Sequence, residues 1–343
     1  MRVLIIKTSS MGDVIHALPA LTDASSQFPD IQFDWVVEES FAEIPAWHPS
    51  VKKIIPIAFR RWRKNLFAKQ TYQEWNNFRK QLRATSYDLI IDAQGLMKSA
   101  WLGFVAKGPR CGLDWQSARE PFASLMYTHK CTAGKIKEVH AVTRMRRLFS
   151  EALHYSLPDT VADYGLNREK FVSFALHPYV VFLHGTTWDT KHWPEEYWIA
   201  LAKKMSQHNI AVKLSWGNQQ EQERALRLAA ASSNVEVLPR MKLAEFAKVL
   251  AAAKAIVAVD TGLGHLAAAL DVPTVSLYGP TNPVLTGALG RSQIHLSVDF
   301  HCAPCLSANC LYPASDSPLN PTVPPCFSTL TPERVWRALS ELL

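Results

Sequence analysis

The feature that most constrains this chain is a recurring unit: a short, continuously apolar, β-branched run, then a polar turn, then apolar residues at helical spacing. The opening "MRVLIIKTSSMGDVIHALPAL" is its first instance. Val3 to Ile6 suits a strand buried on both faces, while Val14, Leu18 and Leu21 recur as on one side of a helix. "FDWVVE", "VKKIIPI" and "YDLIIDAQG" continue the series, and "YDLIIDAQGLMKSAWLGFVA" repeats the whole unit around a turn of Asp92, Gln94 and Gly95. After Pro158 the periodicity lapses. It restarts with "YVVFLHGTT", "AVKLSW", "VEVLP", "AIVAVDTG" and "TVSLYGP". Two successive βαβ series predict two doubly wound α/β domains, Rossmann-like, each with its own parallel sheet and facing a central cleft. A chain of 343 residues suits two domains of roughly 150 residues each.

Several classes of protein are set aside by what is absent. The first apolar run is too short for a signal peptide and leads into polar turn chemistry. No stretch approaches the ~20 apolar residues that span a bilayer. A cytoplasmic protein is therefore expected, and its six cysteines read as thiols or metal ligands more readily than as disulfides. Neither a G-x-G-x-x-G dinucleotide fingerprint nor a G-x-x-x-x-G-K-[ST] phosphate loop occurs, which counts against a nicotinamide dehydrogenase. The Asp-x-Asp triplet with which many nucleotide-sugar transferases hold a cation is also missing.

Chemistry is expected where the strands end, because in an open α/β sheet their carboxyl ends face the ligand crevice. The first turn offers Ser9, Ser10, Gly12 and Asp13. Asp13 can be presented to a ligand there, or it can serve the helix start, a common use of such residues. In the second half, Thr186 and Thr187 follow a strand, with Lys191 a little further on. Hydroxyls and an ammonium there suit phosphate oxygens. Asp260, Thr261 and Gly262 open a small-residue helix whose N–H groups and dipole favour a diphosphate. Glu221 lies just past another strand, where a carboxylate can take ribose hydroxyls or merely face solvent.

Charge is uneven. Of the net +7, the first half carries nearly all, and residues 52–83 hold ten basic side chains against Glu74 alone, with Trp62, Phe67, Tyr72, Trp75 and Phe78 interleaved. The densest piece is "RRWRK", Arg60 to Lys64. Such a segment suits an anionic membrane surface or an anionic substrate, or forms a solvated helix face. No nucleic-acid-binding motif accompanies it, so nucleic acid is not an expected partner.

Taken together, "KTSSMGDVIHALPAL", "RRWRK", "DWQSAREP", "KHWPEE", "WGNQQEQERA" and "VDTGLGHLAAALDVPTVSLYGPTNP" resemble the ADP-heptose-dependent heptosyltransferases of lipopolysaccharide synthesis, which have the GT-B fold. The resemblance runs from residue 1 to about 290. It implies an inverting transfer of L-glycero-D-manno-heptose from ADP-heptose to the first Kdo of Kdo2-lipid A, with no cofactor or metal, by a peripheral protein on the cytoplasmic face of the inner membrane. It makes Asp13 the catalytic base; should Asp13 prove to be only a cap, Asp92 on the parallel turn is the next candidate by position. Thr186, Thr187 and Lys191 become the diphosphate site, Glu221 the ribose contact, Met241 the adenine contact, and Asp260, Thr261, Gly262 and His265 the donor sugar and phosphate site. Ser9, Ser10, Gly12, Arg60, Arg61, Arg63, Lys64 and Arg119 fall on the acceptor side. The implied organisation is an acceptor domain at 1–163, a donor domain at 164–328 and a terminal helix at 329–343 that crosses back onto the first domain. A monomer is expected.

The tail departs from the pattern of the Kdo-directed branch. "HCAPCLSANCLYPASDSPLNPTVPPC" sets Cys302, Cys305, Cys310 and Cys326 in a C-x2-C-x4-C-x15-C spacing, which fits a structural tetrahedral zinc or a loop of reduced thiols. Cysteine-bearing tails occur in other branches of the family, so an enzyme adding heptose to heptose is the alternative. From another class, a non-catalytic sugar-nucleotide or anionic-membrane binding protein would have no need of Asp13. Offering each acceptor with ADP-heptose separates these readings.

Overall fold

The computed structural model describes residues 1–172, 177–312 and 324–343. Part of the Pro- and Ser-rich tail, residues 313–323, lies outside them. Two compact units are present, Met1–Leu166 and Asn167–Leu343.

The first unit is one parallel sheet built from β1 (Arg2–Ile6), β2 (Gln32–Glu38), β3 (Val51–Ile57), β4 (Leu89–Asp92), β5 (Arg110–Leu113) and β6 (His129–Cys131), in the order β3-β2-β1-β4-β5-β6. β1 is central, pairing with β2 on one side and β4 on the other, and Val3 to Ile6 are fully buried. That double burial is why the run is apolar at every position rather than at alternate ones. The second unit repeats the plan with β7 (Tyr179–Leu183), β8 (Ala211–Leu214), β9 (Val235–Val237), β10 (Ala255–Val259), β11 (Thr274–Tyr278) and β12 (Gln293–Ser297), ordered β12-β11-β10-β7-β8-β9. β7 and β10 take the central places. The expected fold class, two doubly wound parallel α/β units, is the one observed. In each sheet the order reverses between two adjacent strands, β1 and β4 or β7 and β10, and the loops leaving those strands diverge to open a ligand crevice.

The terminal helix Pro332–Ser340 groups with the second unit, where it packs on the helix Glu195–Gln207 and on β11. Val335, Ala338 and Leu339, at i, i+3 and i+4, are buried in one cluster with Trp198, Leu201, Ala202 and Met205. Trp336 stacks on His208, with ring centroids 4.7 Å apart. Lys204 pairs with Glu333 at 3.2 Å, and Trp193 Nε1–H donates to the Leu330 carbonyl at 2.8 Å, fastening the approach to the helix. Each fully buried Val or Leu contributes roughly 1.5–3 kcal/mol. The apolar stripe therefore finds its partner within its own unit. Among the described residues, no helix is long and apolar enough to cross a membrane.

Candidate active site

In the first unit the turn after β1 enters a short helix, Met11–Ile15, with Ser10 as N-cap and Asp13 at the third helical position. Asp13 Oδ2 accepts from the Ser10 amide and the Ser10 hydroxyl, both at 2.9 Å, and Oδ1 lies 3.9 Å from Lys7 Nζ. Both roles open to Asp13 are thus compatible. It completes a capping arrangement, and its side chain stays 35 % exposed. Burial raises its pKa, but Lys7, His16 and the two Ser10 hydrogen bonds outweigh that and hold the carboxyl below its ordinary value. Asp13 is therefore an ionised carboxylate at neutral pH, able to accept a proton and anchored in orientation.

Lys7 is the residue that the sequence reading missed. It ends a buried strand, is 5 % exposed, and donates from Nζ to the Ala93 carbonyl at 2.8 Å. Burial lowers its pKa, against the opposing pull of Asp13 and Asp92, with Arg144 and Arg119 lowering it further. Arg119, exposed on the segment after β5, therefore adds positive potential near Lys7. Gln94 was also missed as a site residue: its Oε1 accepts from the Thr8 and Ser9 amides at 3.0 and 3.2 Å, fastening the β1 turn to the β4 turn. A cation straight after a buried strand, and an amide side chain on the neighbouring strand's turn, were the available signals.

Asp92 fails as the fallback base. It is 1 % exposed, and its oxygens accept from Tyr127 Oη at 2.6 Å, Ser99 Oγ at 2.8 Å, and the Gln94 and Gly95 amides at 2.9 and 3.2 Å. Burial pushes its pKa up. Tyr127 reaches it across Gly112, where a Cβ would stand 2.4 Å from the ring. Asp92 is a strut that shapes the turn.

The basic segment folds as the helices Phe59–Trp62 and Lys69–Arg83. Its aromatics divide. Trp62 and Phe78 are buried in the core with Leu4 and Ile57, and Trp75 stacks on Trp101 at 5.1 Å, whereas Leu66, Phe67 and Tyr72 are exposed. The cations divide too. Arg61 is held by Glu39 at 3.0 Å and Glu74 at 2.8 Å, and these hydrogen bonds raise its pKa. Among the described residues, Arg60, Arg63 and Lys64 have no carboxylate in ion-pair range, although the Arg60 amide donates to Glu38 and its guanidinium lies 5.0 Å over the Phe41 ring.

In the second unit the residues after β7 and β10 meet. Lys191 Nζ pairs with Asp260 Oδ2 at 2.7 Å, and Thr281 donates to the same oxygen at 2.8 Å. Thr186 Oγ1 donates to the Asp260 carbonyl at 3.1 Å, and the Lys191 ammonium lies 4.5 Å from the Trp188 ring centre. Thr187 is exposed; Thr261 is the N-cap of the helix Gly262–Ala269, which carries buried His265. Thr281 and Trp188 were missed, though Thr281 follows β11 at the same sheet edge. Glu221, at the third position of the helix Gln219–Ala230, accepts from the Gly217 amide at 2.7 Å. Its carboxylate lies so close to Gly185 that a Cβ there would sit 2.7 Å from its Cδ. Glycine is what lets the β7 and β8 turns close on each other. Met241 is half-buried beyond β9. The second unit thus gathers one ammonium, several hydroxyls, a helix N-terminus and a carboxylate on the loops of its switch point, a set suited to a nucleoside diphosphate.

Cys302, Cys305, Cys310 and Cys326 line one cavity of about 50 Å³ with Thr190 and Pro280, and burial, followed by the neighbouring thiols, pushes the pKa of Cys302 and Cys326 up. A separate group, Cys111, His129 and Cys131 on β5 and β6, has all its potential ligand atoms within 4.8 Å, the only such group among the described residues.

Residues 75–315 match the model of glycosyltransferase family 9 (heptosyltransferase). The chain is 57 % identical to lipopolysaccharide heptosyltransferase 1 of Pseudomonas aeruginosa, covering 100 % of this chain and 98 % of that one. It is similar to E. coli heptosyltransferase WaaC with ADP, at a TM-score of 0.88 and 47 % identity over 100 % of both chains. It is also similar to the same E. coli enzyme with ADP-2-deoxy-2-fluoro heptose, at 0.85 and 46 %, again over 100 % of both.

Proposed function

The chain belongs to glycosyltransferase family 9, the heptosyltransferases, and from that membership we propose that it moves L-glycero-D-manno-heptose from ADP-heptose to the first Kdo of Kdo2-lipid A. The observation that carries the donor half is the cluster of Lys191, Thr281 and Thr186 around Asp260 at the β7–β10 switch point. Relatives of 46–47 % identity hold ADP and a fluorinated ADP-heptose.

Inversion by single displacement needs a base to take the proton of the acceptor hydroxyl as it attacks the anomeric carbon, and Asp13 is a partly exposed, ionised carboxylate at the first unit's switch point. Lys7 and Arg144 bear on Asp13 electrostatically and keep it ionised. As the bond to ADP breaks, charge gathers on the departing phosphate, where Lys191 and the N–H groups at Gly262 stabilise it. Asp260 then serves as the anchor that aims Lys191, rather than as a direct phosphate ligand, since two carboxylate–phosphate anions would repel. Glu221 takes the ribose, and Met241 covers adenine.

Arg60, Arg63 and Lys64, with Arg119, meet the carboxylates and phosphates of the acceptor. Leu66 and Phe67, exposed between two cationic helices, rest on the anionic bilayer that presents it, so the protein works at the cytoplasmic face of the inner membrane. Arg61 instead holds the patch together. No divalent cation is required in this scheme, because Lys191 offsets the diphosphate charge.

The test is ADP release from ADP-heptose with Kdo2-lipid A, with heptosylated acceptor, and with neither, each in the presence and absence of chelator. Release with Kdo2-lipid A that persists under chelation is expected. Preference for the heptosylated acceptor would reassign the branch, and loss that magnesium alone restores would refute metal independence.

A further inference from the structure

We infer that Cys302, Cys305, Cys310 and Cys326 form a tetrahedral thiolate site for one thiophilic metal ion, zinc or iron(II), which braces the loops of the donor site. The four residues converge on one cavity. Its other walls are Pro280, Phe300, Leu311, Tyr312 and two prolines, with the polar groups of Thr190 and Asn309. Among the described residues, no Lys, Arg, Asp or Glu lines it. Thiols are weak hydrogen-bond partners, so such a cavity is a poor seat for ordered water. At about 50 Å³ it exceeds the ~10–15 Å³ that one water-sized occupant needs. Four sulfurs in tetrahedral array select zinc or iron, and harder cations prefer oxygen.

A Zn–S bond of about 2.3 Å brings tetrahedral sulfurs to about 3.8 Å from one another. Here they stand wider, since among the described residues only the Cys111 group has its ligand atoms within 4.8 Å. Three of the four lie on irregular backbone between Phe300 and Leu311, free of strand pairing, so the loop can draw in. Cys326 is the fixed wall: it is 8 % exposed, beside fully buried Phe327.

The placement gives the site its consequence, which rests on the donor-site reading above. Thr190 Oγ1 donates to the Ser307 carbonyl at 2.8 Å, and the Leu306 amide donates to the Pro280 carbonyl at 2.7 Å. Thr190 precedes Lys191, and Pro280 precedes Thr281, the two residues that grip Asp260. A metal that gathers the cysteine loop therefore stiffens both grips at once. The Cys111 and Cys131 thiols, by contrast, are buried in contact with each other at 2.8 Å between paired strands, and serve as the control.

The full chain, purified without chelator, is analysed for zinc and iron by mass spectrometry, and ADP affinity is measured by calorimetry before stripping, after stripping and after reloading. About one ion per chain is expected, lost in Cys302→Ser/Cys305→Ser and kept in Cys111→Ser/Cys131→Ser. Should the tail variant fail to fold, cobalt(II) added to stripped wild-type protein reports the site through tetrahedral thiolate absorption. Stripping should weaken ADP binding several-fold, and reloading should restore it. Substoichiometric metal with no cobalt spectrum, oxidised tail cysteines, or metal lost only from the Cys111/Cys131 variant would overturn the site. Unchanged ADP affinity on stripping would overturn the bracing role. A metal-loaded protein that never binds ADP would instead refute the donor-site reading.

Discussion

Asp13→Asn removes one negative charge and the basic oxygen while keeping the shape of the side chain and an acceptor for the Ser10 amide. Two effects follow, and their sizes separate them. The carboxylate lies 3.9 Å from Lys7 Nζ, which at an effective dielectric of 20 corresponds to about 4 kcal/mol of gross attraction. Asp13 is 35 % exposed, and Lys7 keeps its bond to the Ala93 carbonyl, so solvent screening leaves a net stability loss of about 1 kcal/mol. Loss of general-base catalysis costs roughly 10²–10⁴-fold in kcat, or about 3–5 kcal/mol of barrier. Turnover should collapse in a protein that remains folded and binds ADP normally. The assay is ADP release at saturating ADP-heptose and Kdo2-lipid A, with a urea melt and ADP calorimetry on the same preparation. Because Asp13 is held below the ordinary carboxylate range, it stays ionised between pH 6 and 8, and the wild-type rate should not fall through protonation of this group anywhere in that window. A kcat within a few-fold of wild type would show that Asp13 is only a cap, and with Asp92 buried and fully engaged the base would have to come from the substrate or from another residue.

Lys191→Ala should lower both ADP affinity and kcat, the latter by roughly 10²-fold, because it strips the ammonium from the phosphates and leaves Asp260 unneutralised; normal ADP binding would reduce Lys191 to a counterion. Neutralising Arg60, Arg63 and Lys64 together should raise the acceptor KM and flatten its salt dependence, since exposed charges act over a Debye length of ~8 Å, while ADP affinity stays put; equal damage to both substrates would make the patch structural. Gly185→Ala places a Cβ 2.7 Å from Glu221 Cδ, so the carboxylate must move and ADP should bind less tightly with little change in melting; undiminished ADP affinity would remove Glu221 from the ribose. Burial holds His48, His184 and His192 neutral, with pKa values of about 4. Their unfolded forms bind protons first, so stability is full above about pH 6.5 and falls as the pH drops toward 4, by about 2 kcal/mol for His48 alone at pH 5. Urea melts at pH 7 and 5 check this, and a melt that does not change would contradict it.

How much was legible in the sequence follows from which interactions are local. The long apolar runs of β1, β4, β7 and β10 declare themselves because a strand covered on both faces must be apolar throughout. The placement of Asp13, Thr186, Lys191 and Asp260 at the strand ends followed from topology alone. β5, β6 and β12 carry Arg110, His129, Lys130 and His295 in runs of three to five residues. They are strands because a neighbour pairs with them, information that their own residues do not hold. The same limit explains the two carboxylates. Asp13, in the helix that follows β1, and Asp92, the last residue of the neighbouring β4, read alike as carboxylates near a strand end, yet one stays accessible while the other is sealed by Tyr127, which crosses Gly112 from 35 residues away. Arg61 looks like its neighbours in "RRWRK" until Glu39, 22 residues off, takes it. The amphipathic stripe of Pro332–Ser340 announced that one side is buried, and only packing against Trp198 and Met205 decided where. Sequence periodicity determines which faces must leave water, because that is a property of each segment. Which surface receives them, and which charge is spent on a neighbour rather than kept for a ligand, is decided by contacts between segments far apart in the chain.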